Sequence, residues 1–113
     1  MKTITLSVGG RDDTTRRALA AFSGEPQGAH HSFASADLLW QTLTRKRWDL
    51  IQAMTGQGPM SIREAARRVD RDVKAVHGDV RALIHAGLIH KQDRNIVFPY
   101  DMIHVDFVLT KAA

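Results

Sequence analysis

The sequence has no cysteine, so it can form neither a disulfide nor a thiolate metal site, and this suits a reducing compartment. No apolar run approaches the ~20 residues that a membrane-spanning helix needs, and the residues from Met1 to Ile4 do not resemble the start of a signal peptide. Gly-rich phosphate loops, Gly-x-Ser-x-Gly motifs and paired carboxylates at a strand end are absent too. We therefore expect a soluble cytoplasmic protein that is not an enzyme and that has no cofactor and no metal.

The formal net charge is +4, and the positive charge is concentrated in one part of the chain. Residues 44–94 hold eleven Lys or Arg against six Asp or Glu, whereas the rest of the chain holds five against six. A basic segment suits a polyanion, because neutralised phosphates release their counterions. A solvated basic surface that only aids solubility is the alternative, and charge alone does not separate the two.

A length of 113 residues fits one compact domain with an N-terminal appendage. Lys2–Val8 alternates polar and apolar residues, which predicts a half-buried strand. Asp12 or Asp13 is placed to cap a helix that runs to about Phe22, and the glycine- and proline-containing segment 24–28 is the best linker candidate. His30 and His31 follow in the same irregular stretch. We predict that residues 1–28 form a strand-helix appendage for dimerisation or partner binding.

Two helices are predicted next. Ser35 is a plausible N-cap for a helix over 36–43, and Leu38, Leu39 and Leu43 form its apolar stripe. Thr44 caps a second helix that continues to Met54. Trp40 and Trp48 lie in these apolar-rich helices, so we interpret both as core or dimer-interface residues rather than as base-stacking platforms.

A helix-turn-helix pattern follows. Ser61-Ile62-Arg63-Glu64 matches a capping box at the start of one helix, and Asp70-Arg71-Asp72 forms a tight turn into a second helix over about 72–86. The apolar positions of this second helix define one buried face: Val73, Val76, Val80, Leu83 and Ile84. The opposite face carries Lys74, His77, Gly78 and Arg81. Gly87 is well placed to end the helix in a left-handed conformation.

The remainder of the chain is predicted to be β-structure. Segments 88–91 and 96–98 flank the polar tip 92–95, which predicts a β-hairpin. Ile103–Leu109 alternates and predicts a further strand. Its most reasonable partner is the N-terminal strand, either within one chain or across a dimer, because this pairing would remove exposed strand edges.

The order of three helices and a hairpin resembles the MarR-like winged helix-turn-helix regulators. More narrowly, the chain resembles a family of predicted prokaryotic DNA-binding proteins, some of them similar to antitoxins. The resemblance rests on six sequence motifs that occur in the same order: Phe33-Ala34-Ser35, Leu43-Thr44-Arg45-Lys46-Arg47, Gly58–Arg68, Val76–Leu83, Ala86–Ile89 and Pro99-Tyr100-Asp101. The expected fold is mainly α with a small β component. It is a winged helix-turn-helix over residues 33–110 with a β-hairpin wing, an N-terminal strand-helix appendage and a C-terminal strand.

The expected function is that of a sequence-specific transcriptional regulator, a repressor that binds double-stranded DNA as a homodimer. The helix over 72–86 would enter the major groove, and the hairpin over 88–98 would contact the backbone. The residues predicted to bind DNA are Ser61, Arg63, Arg71, Lys74, His77, Arg81, Lys91 and Arg94. The alternative is an antitoxin that neutralises a cognate toxin by direct binding and also controls its own operon, with residues 1–23 as the second surface. An equally weighted interpretation of residues 1–23 is that they only complete the fold or the dimer.

Several of these residues have simpler interpretations. In the simpler interpretation, His77 is a helix-surface residue that hydrogen-bonds to Asp79 or to a neighbour. Arg67 and Arg68 more readily pair with Glu64 than contact DNA, because Glu64 and Arg68 are four residues apart on a helix. Gly78 departs from the family pattern, and a mid-helix glycine costs about 1 kcal/mol relative to alanine. Either the helix is not straight at this point or another backbone approaches it closely.

Overall fold

The computed structural model of the protein describes residues 2–9 and 29–106. In chain order, the elements within these ranges are β1 (Thr3–Val8), β2 (Ala29–Phe33), α1 (Ala36–Thr42), α2 (Arg45–Met54), α3 (Ile62–Val69), α4 (Val73–His85), β3 (His90–Gln92), β4 (Asn95–Val97) and β5 (Met102–Asp106). None of these helices has the length and apolar character that crossing a bilayer requires.

A parallel sheet joins the two ends of the described chain. Its strand order is β2-β1-β5, and β1 pairs in parallel with both neighbours, with Ile4 opposite Ala29 on one side and Ile103 on the other. The predicted pairing between the N-terminal strand and the last strand is therefore confirmed, and it occurs within one chain. Ile4 and Leu6 are two residues apart on β1 and therefore share one face of the sheet, and both are buried there in the hydrophobic core.

The predicted fold class is wrong. The described residues are 44% helix and 27% strand, and the parallel three-stranded sheet with four helices is an α/β mix rather than a mainly α winged helix-turn-helix with a hairpin wing. The pattern in 29–33 lacks the polar-apolar alternation that predicts a strand, and the sequence therefore predicts an irregular segment where β2 lies. Parallel pairing with the distant β1 imposes the extended conformation instead.

The division of the chain into 1–28 and 33–110 stays a prediction. Residues 10–28, which include the predicted helix from Asp12 or Asp13 and the segment 24–28, lie outside the described residues. Within the described part, β1 shares one continuous core with the rest of the chain. That core runs from Ile4 and Phe33 through Leu50 and Leu83 to Phe98.

The four described helices begin at the predicted caps. Ser35 Oγ accepts a hydrogen bond from the Leu38 amide, Thr44 Oγ1 from Arg47, Ser61 Oγ from Glu64 and an Asp72 carboxylate oxygen from Lys74. Each cap satisfies an amide that has no partner inside its helix, and this holds the start of the helix in place. The positions of the helices therefore follow from local sequence signals.

The end of α4 is also fixed by local chemistry. Gly87 adopts a φ of 85°, which confirms the predicted left-handed residue. The Gly87 amide donates to the Ile84 carbonyl oxygen at 3.0 Å, and the Leu88 amide donates to the Leu83 carbonyl oxygen at 2.9 Å. These two bonds form a Schellman motif, which satisfies the last carbonyls of the helix and turns the chain sharply into the hairpin.

The hairpin is held against the start of α3. Strands β3 and β4 pair in an antiparallel manner, as the hairpin prediction requires, with Gln92 opposite Asn95. The Met60 amide donates to the Ile96 carbonyl oxygen at 2.9 Å, and the Ile96 amide donates to the Met60 carbonyl oxygen at 2.8 Å. Because Met60 directly precedes the Ser61 cap, these bonds fix the hairpin relative to α3.

Candidate nucleic-acid interface

One carboxylate ties together three parts of the helical region. Asp79, on α4, accepts from Arg47 Nε at 3.1 Å through Oδ1 and from Arg71 Nη2 at 2.7 Å through Oδ2. Arg47 lies on α2, and Arg71 lies in the turn between α3 and α4. All three side chains are mostly buried, with exposed fractions of 23% for Arg47, 17% for Asp79 and 19% for Arg71. We call these three residues the Asp79 bridge.

The Asp79 bridge is an electrostatically favourable arrangement for the ionised carboxylate. Burial raises the pKa of Asp79, but hydrogen bonds from Arg71 and Arg47 and their positive charges outweigh that effect and lower the pKa below its ordinary value. Arg47 Nη1 also donates to the Thr42 carbonyl oxygen at 3.0 Å, so the end of α1 is connected to the same cluster. The bridge orients α4 on the helices beneath it.

A second cluster of paired charges lies on the surface of α3. Glu64 accepts from Arg67 Nε at 2.9 Å, is paired with Arg67 Nη2 as well, and accepts from Arg68 Nε at 3.3 Å. Arg67 and Arg68 therefore pair with Glu64, as the simpler interpretation predicts. The Arg67 hydrogen bond, with the further help of Arg68, lowers the pKa of Glu64 to about 2. In this cluster the Glu64 carboxylate is engaged by arginines, and Ser61 Oγ alone provides the side-chain part of the cap on α3.

The outward face of α4 lacks such pairing. Lys74, His77 and Arg81 are exposed, as predicted, and Val76, Val80 and Leu83 are fully buried on the opposite face. Neither Lys74 nor Arg81 forms an ion pair with any residue in 2–9 or 29–106. Asp79 contacts Arg47 and Arg71, so the alternative in which His77 bonds to Asp79 has no support in the observed contacts.

The hairpin carries two further cations, of which Lys91 lines a groove shared with α4. Lys91 on β3 and Arg94 at the hairpin tip are exposed, and within the described ranges neither has a carboxylate partner. We call Lys74, His77, Arg81, Lys91 and Arg94 the α4–hairpin face.

An open groove of about 530 Å³ lies between α4 and the hairpin. Its apolar lining comes from Ile62, Val80, Ile84 and Ile96, and its polar lining comes from His77, Arg81, His85 and Lys91. The structure thus brings three of the residues predicted to bind DNA, His77, Arg81 and Lys91, to the rim of one concave surface. Such a surface offers cations and a hydrogen-bonding imidazole to an anionic partner.

Ser61 and Arg63 lie at the start of α3, and they line a separate depression of about 460 Å³ together with Arg67 and Arg71. Arg63 is exposed and has no ion pair among the residues that the structure describes. The Ser61 oxygen accepts from the Glu64 amide, which leaves its hydroxyl proton available for donation.

Arg71 differs from the other residues predicted to bind DNA. Its side chain is held in the Asp79 bridge, and its Nη1 atom is buried with no hydrogen-bond partner in the described part of the molecule. A phosphate contact by Arg71 would require the guanidinium to leave Asp79. The sequence contains no signal for the bridge, because Arg47 and Asp79 are 32 residues apart and meet only in the folded chain.

The two tryptophans differ in their exposure to solvent. Trp48 is partly buried and packs against the core, whereas 49% of Trp40 is exposed. The core interpretation is therefore wrong for Trp40, and its dimer-interface interpretation stays a prediction. The second surface predicted for residues 1–23 lies mainly outside the described residues.

No curated protein and no solved structure matches the chain. The model of one protein family, HVO_A0114, matches residues 42–105, a range that contains α2, α3, α4, the hairpin and most of β5. The resemblance to MarR-like regulators stays a prediction. Because the matched range is more than half of the 113 residues, the chain belongs to the HVO_A0114 family.

Proposed function

We propose that this protein is a sequence-specific transcriptional regulator that binds double-stranded DNA. The observation that carries the proposal is the α4–hairpin face, whose cations have no carboxylate partner among the described residues. In the same segment of the chain, Arg47, Arg67, Arg68 and Arg71 are all neutralised by carboxylates. Unneutralised cations on a protein surface attract a polyanion, and duplex DNA carries a high density of phosphate charge.

The shape of α4 supports a place in the major groove. With 13 residues it is about 20 Å long, and a helix with its side chains is about as wide as the groove. Its orientation is maintained from below by the Asp79 bridge and at its end by Gly87. A rigid support matters, because base recognition needs donors that are held at fixed positions.

The proposed contacts divide into two kinds. Lys74 and His77, in the first two turns of α4, donate hydrogen bonds to acceptors on base edges such as guanine O6 and N7. Arg81 contacts phosphates beside the groove, and Lys91 and Arg94 contact the neighbouring backbone from the hairpin. Phosphate contacts position the protein, whereas base contacts specify the sequence.

The start of α3 provides an additional phosphate contact. Arg63 is an exposed cation, and the Ser61 hydroxyl can donate while its oxygen caps the helix. Amides in the first turn of a helix favour a nearby anion. Because one such unit buries little DNA surface, we propose that two copies act together as a homodimer on half-sites about one helical turn apart.

The direct test is duplex binding by the purified full chain. The probes are a duplex of about 30 base pairs from the region upstream of its own gene and a shuffled duplex of the same composition. We expect preference for the upstream duplex, and a fall in log K with log salt whose slope is about −4 or steeper, since each neutralised phosphate contributes about −0.9. The absence of binding at about 50 mM salt, or equal affinity for both duplexes, would contradict the proposal.

A further inference from the structure

Gly78 occupies the middle of α4, where glycine is unfavourable. It is the sixth of the 13 residues in the helix and is exposed. Glycine pays more backbone entropy than alanine on entering a helix, and the folding equilibrium constant falls about four- to fivefold as a result. We therefore expect the glycine to provide a benefit that offsets this loss of stability.

The described residues provide no such benefit. Gly56, Gly58 and Gly87 each adopt a positive φ, which side chains rarely tolerate, whereas Gly78 has ordinary helical geometry. A Cβ built on Gly78 would meet no atom within 4 Å, so no neighbouring element in the described residues packs against the bare backbone. The helix continues through Gly78 to His85, and a close approach by another backbone has no support among the described residues.

Gly78 lies on the outward face of α4. Lys74 lies four residues before it and Arg81 three residues after it, so both are its neighbours on the helix surface. Both side chains are exposed, and both lack an ion pair within 2–9 and 29–106. Gly78 is thus a gap in the side-chain layer, flanked by two cations that are available to a polyanion.

We infer that Gly78 is the point of closest approach between α4 and the floor of the major groove. This inference rests on the proposed function. A helix with its side chains nearly fills the groove, so the side chain at the leading position limits how deeply the helix enters. Removing the Cβ lets the helix axis come closer by about 1.5 Å, one carbon–carbon bond length. That depth brings Lys74 within reach of base edges while Arg81 stays at the phosphates.

The inference predicts that replacing Gly78 with alanine raises the stability of the protein and weakens its binding to DNA. The variants are Gly78→Ala and Gly78→Leu, with Gln52→Leu, an exposed position on α2, as the control. Chemical denaturation should show a folding equilibrium constant about four- to fivefold higher for Gly78→Ala. Its affinity for the upstream duplex should fall about tenfold or more, on the scale of one lost base contact, and Gly78→Leu should lose more.

The outcomes separate this inference from the proposed function. If the wild-type protein binds neither duplex, the proposed function fails, and that result precedes any variant. If the wild type binds and both Gly78 variants bind as tightly as it does, the role of Gly78 is overturned while DNA binding stands. A comparable loss in Gln52→Leu would also overturn it, because the loss would then not depend on the face of α4.

Discussion

The basic half of the molecule contains two groups of cations that differ in what surrounds them. Arg47, Arg67, Arg68 and Arg71 are paired with Asp79 or Glu64. The exposed cations that lack a carboxylate partner among the described residues are Arg45, Lys46, Arg63, Lys74, Arg81, Lys91 and Arg94. Net charge adds the two groups together, although only the second group presents uncompensated charge to a ligand.

The difference has a physical basis in the position of the acids. Asp79 points from α4 toward α2 and the α3–α4 turn, so it neutralises cations on the inner side of the helix. Apart from Asp79, the nearest acids in sequence, Asp70 and Asp72, precede α4, and the residues beside Lys74 and Arg81 on the outward face are His77 and Gly78. The inner pairs should therefore matter for stability, and the outer cations for binding.

The largest effect is expected from Asp79→Asn. The variant leaves two mostly buried guanidinium groups without their carboxylate, and the loss of charged hydrogen bonds at a buried site should lower the free energy of unfolding by about 2–3 kcal/mol. Urea denaturation measures the change. Asp49→Asn, an exposed α2 residue with no ion pair in the described part of the chain, is the matched control and should change little. Equal effects for the two variants would show that the bridge does not stabilise the fold.

The pH dependence of stability tests the same bridge. The folded-state pKa of Asp79 lies below its ordinary value of 3.8, so the ionised carboxylate stabilises the protein fully above that value. This contribution is lost as the pH falls through the folded-state pKa. The urea midpoint of the wild type should therefore drop more steeply than that of Asp79→Asn as the pH is lowered below about 4. Parallel profiles would contradict the assignment.

On the outer side, Lys74→Ala and His77→Ala should each reduce discrimination at one base pair by about 1–3 kcal/mol. Arg94→Ala should instead weaken binding to all sequences alike, because a phosphate contact carries no sequence information. Fluorescence anisotropy against a set of single-base variants of the upstream duplex distinguishes the two. Equal losses on specific and shuffled DNA for every variant would mean that α4 is not the helix in the groove.

Ser61→Ala should have a smaller effect on stability, about 1 kcal/mol, because it removes the hydroxyl that caps α3 at the Glu64 amide. Thermal unfolding measures this loss. Ser61→Asp should restore the cap and hence the stability. Failure of Ser61→Asp to do so would show that the Ser61 side chain stabilises α3 in some other way.

The smallest effect on stability is expected from Arg67→Ala, because its pair with Glu64 is exposed and screened by solvent. The pKa of Glu64 is the more sensitive measure. Without Arg67 it should rise from about 2 toward the ordinary value of 4.5, and NMR titration of the carboxyl group reports it. An unchanged pKa would mean that Arg67 is not the main partner in solution.

Local sequence patterns predicted much of the helical region and little of its tertiary connections. Ser35, Thr44, Ser61 and Asp72 cap helices where predicted, because a cap depends on residues only two or three positions away. Strand β2 was missed, since its conformation depends on pairing with β1 across more than 20 residues. The expectation of a mainly α fold rests on the order of three helices and a hairpin, and local patterns in that order do not indicate a parallel sheet between distant strands.

The candidate site shows the same division between local and long-range information. The exposed face of α4 follows from helical periodicity, so Lys74, His77 and Arg81 lie outward as expected. Arg71 and Asp79 are eight positions apart in the sequence, and no helical spacing rule predicts that their side chains pair. A list of basic residues therefore contains both structural and available cations until their partners are known.

The most direct test compares the salt dependence of duplex affinity for two double variants that remove the same charge. Lys74→Ala with Arg81→Ala removes unpaired cations from α4, and Arg67→Ala with Arg68→Ala removes paired cations from α3. We predict that the first variant binds the upstream duplex more weakly, with a salt slope shallower by about 1–2, while the second keeps the wild-type slope. Equal losses of affinity and slope in both variants would contradict the distinction between paired and available cations.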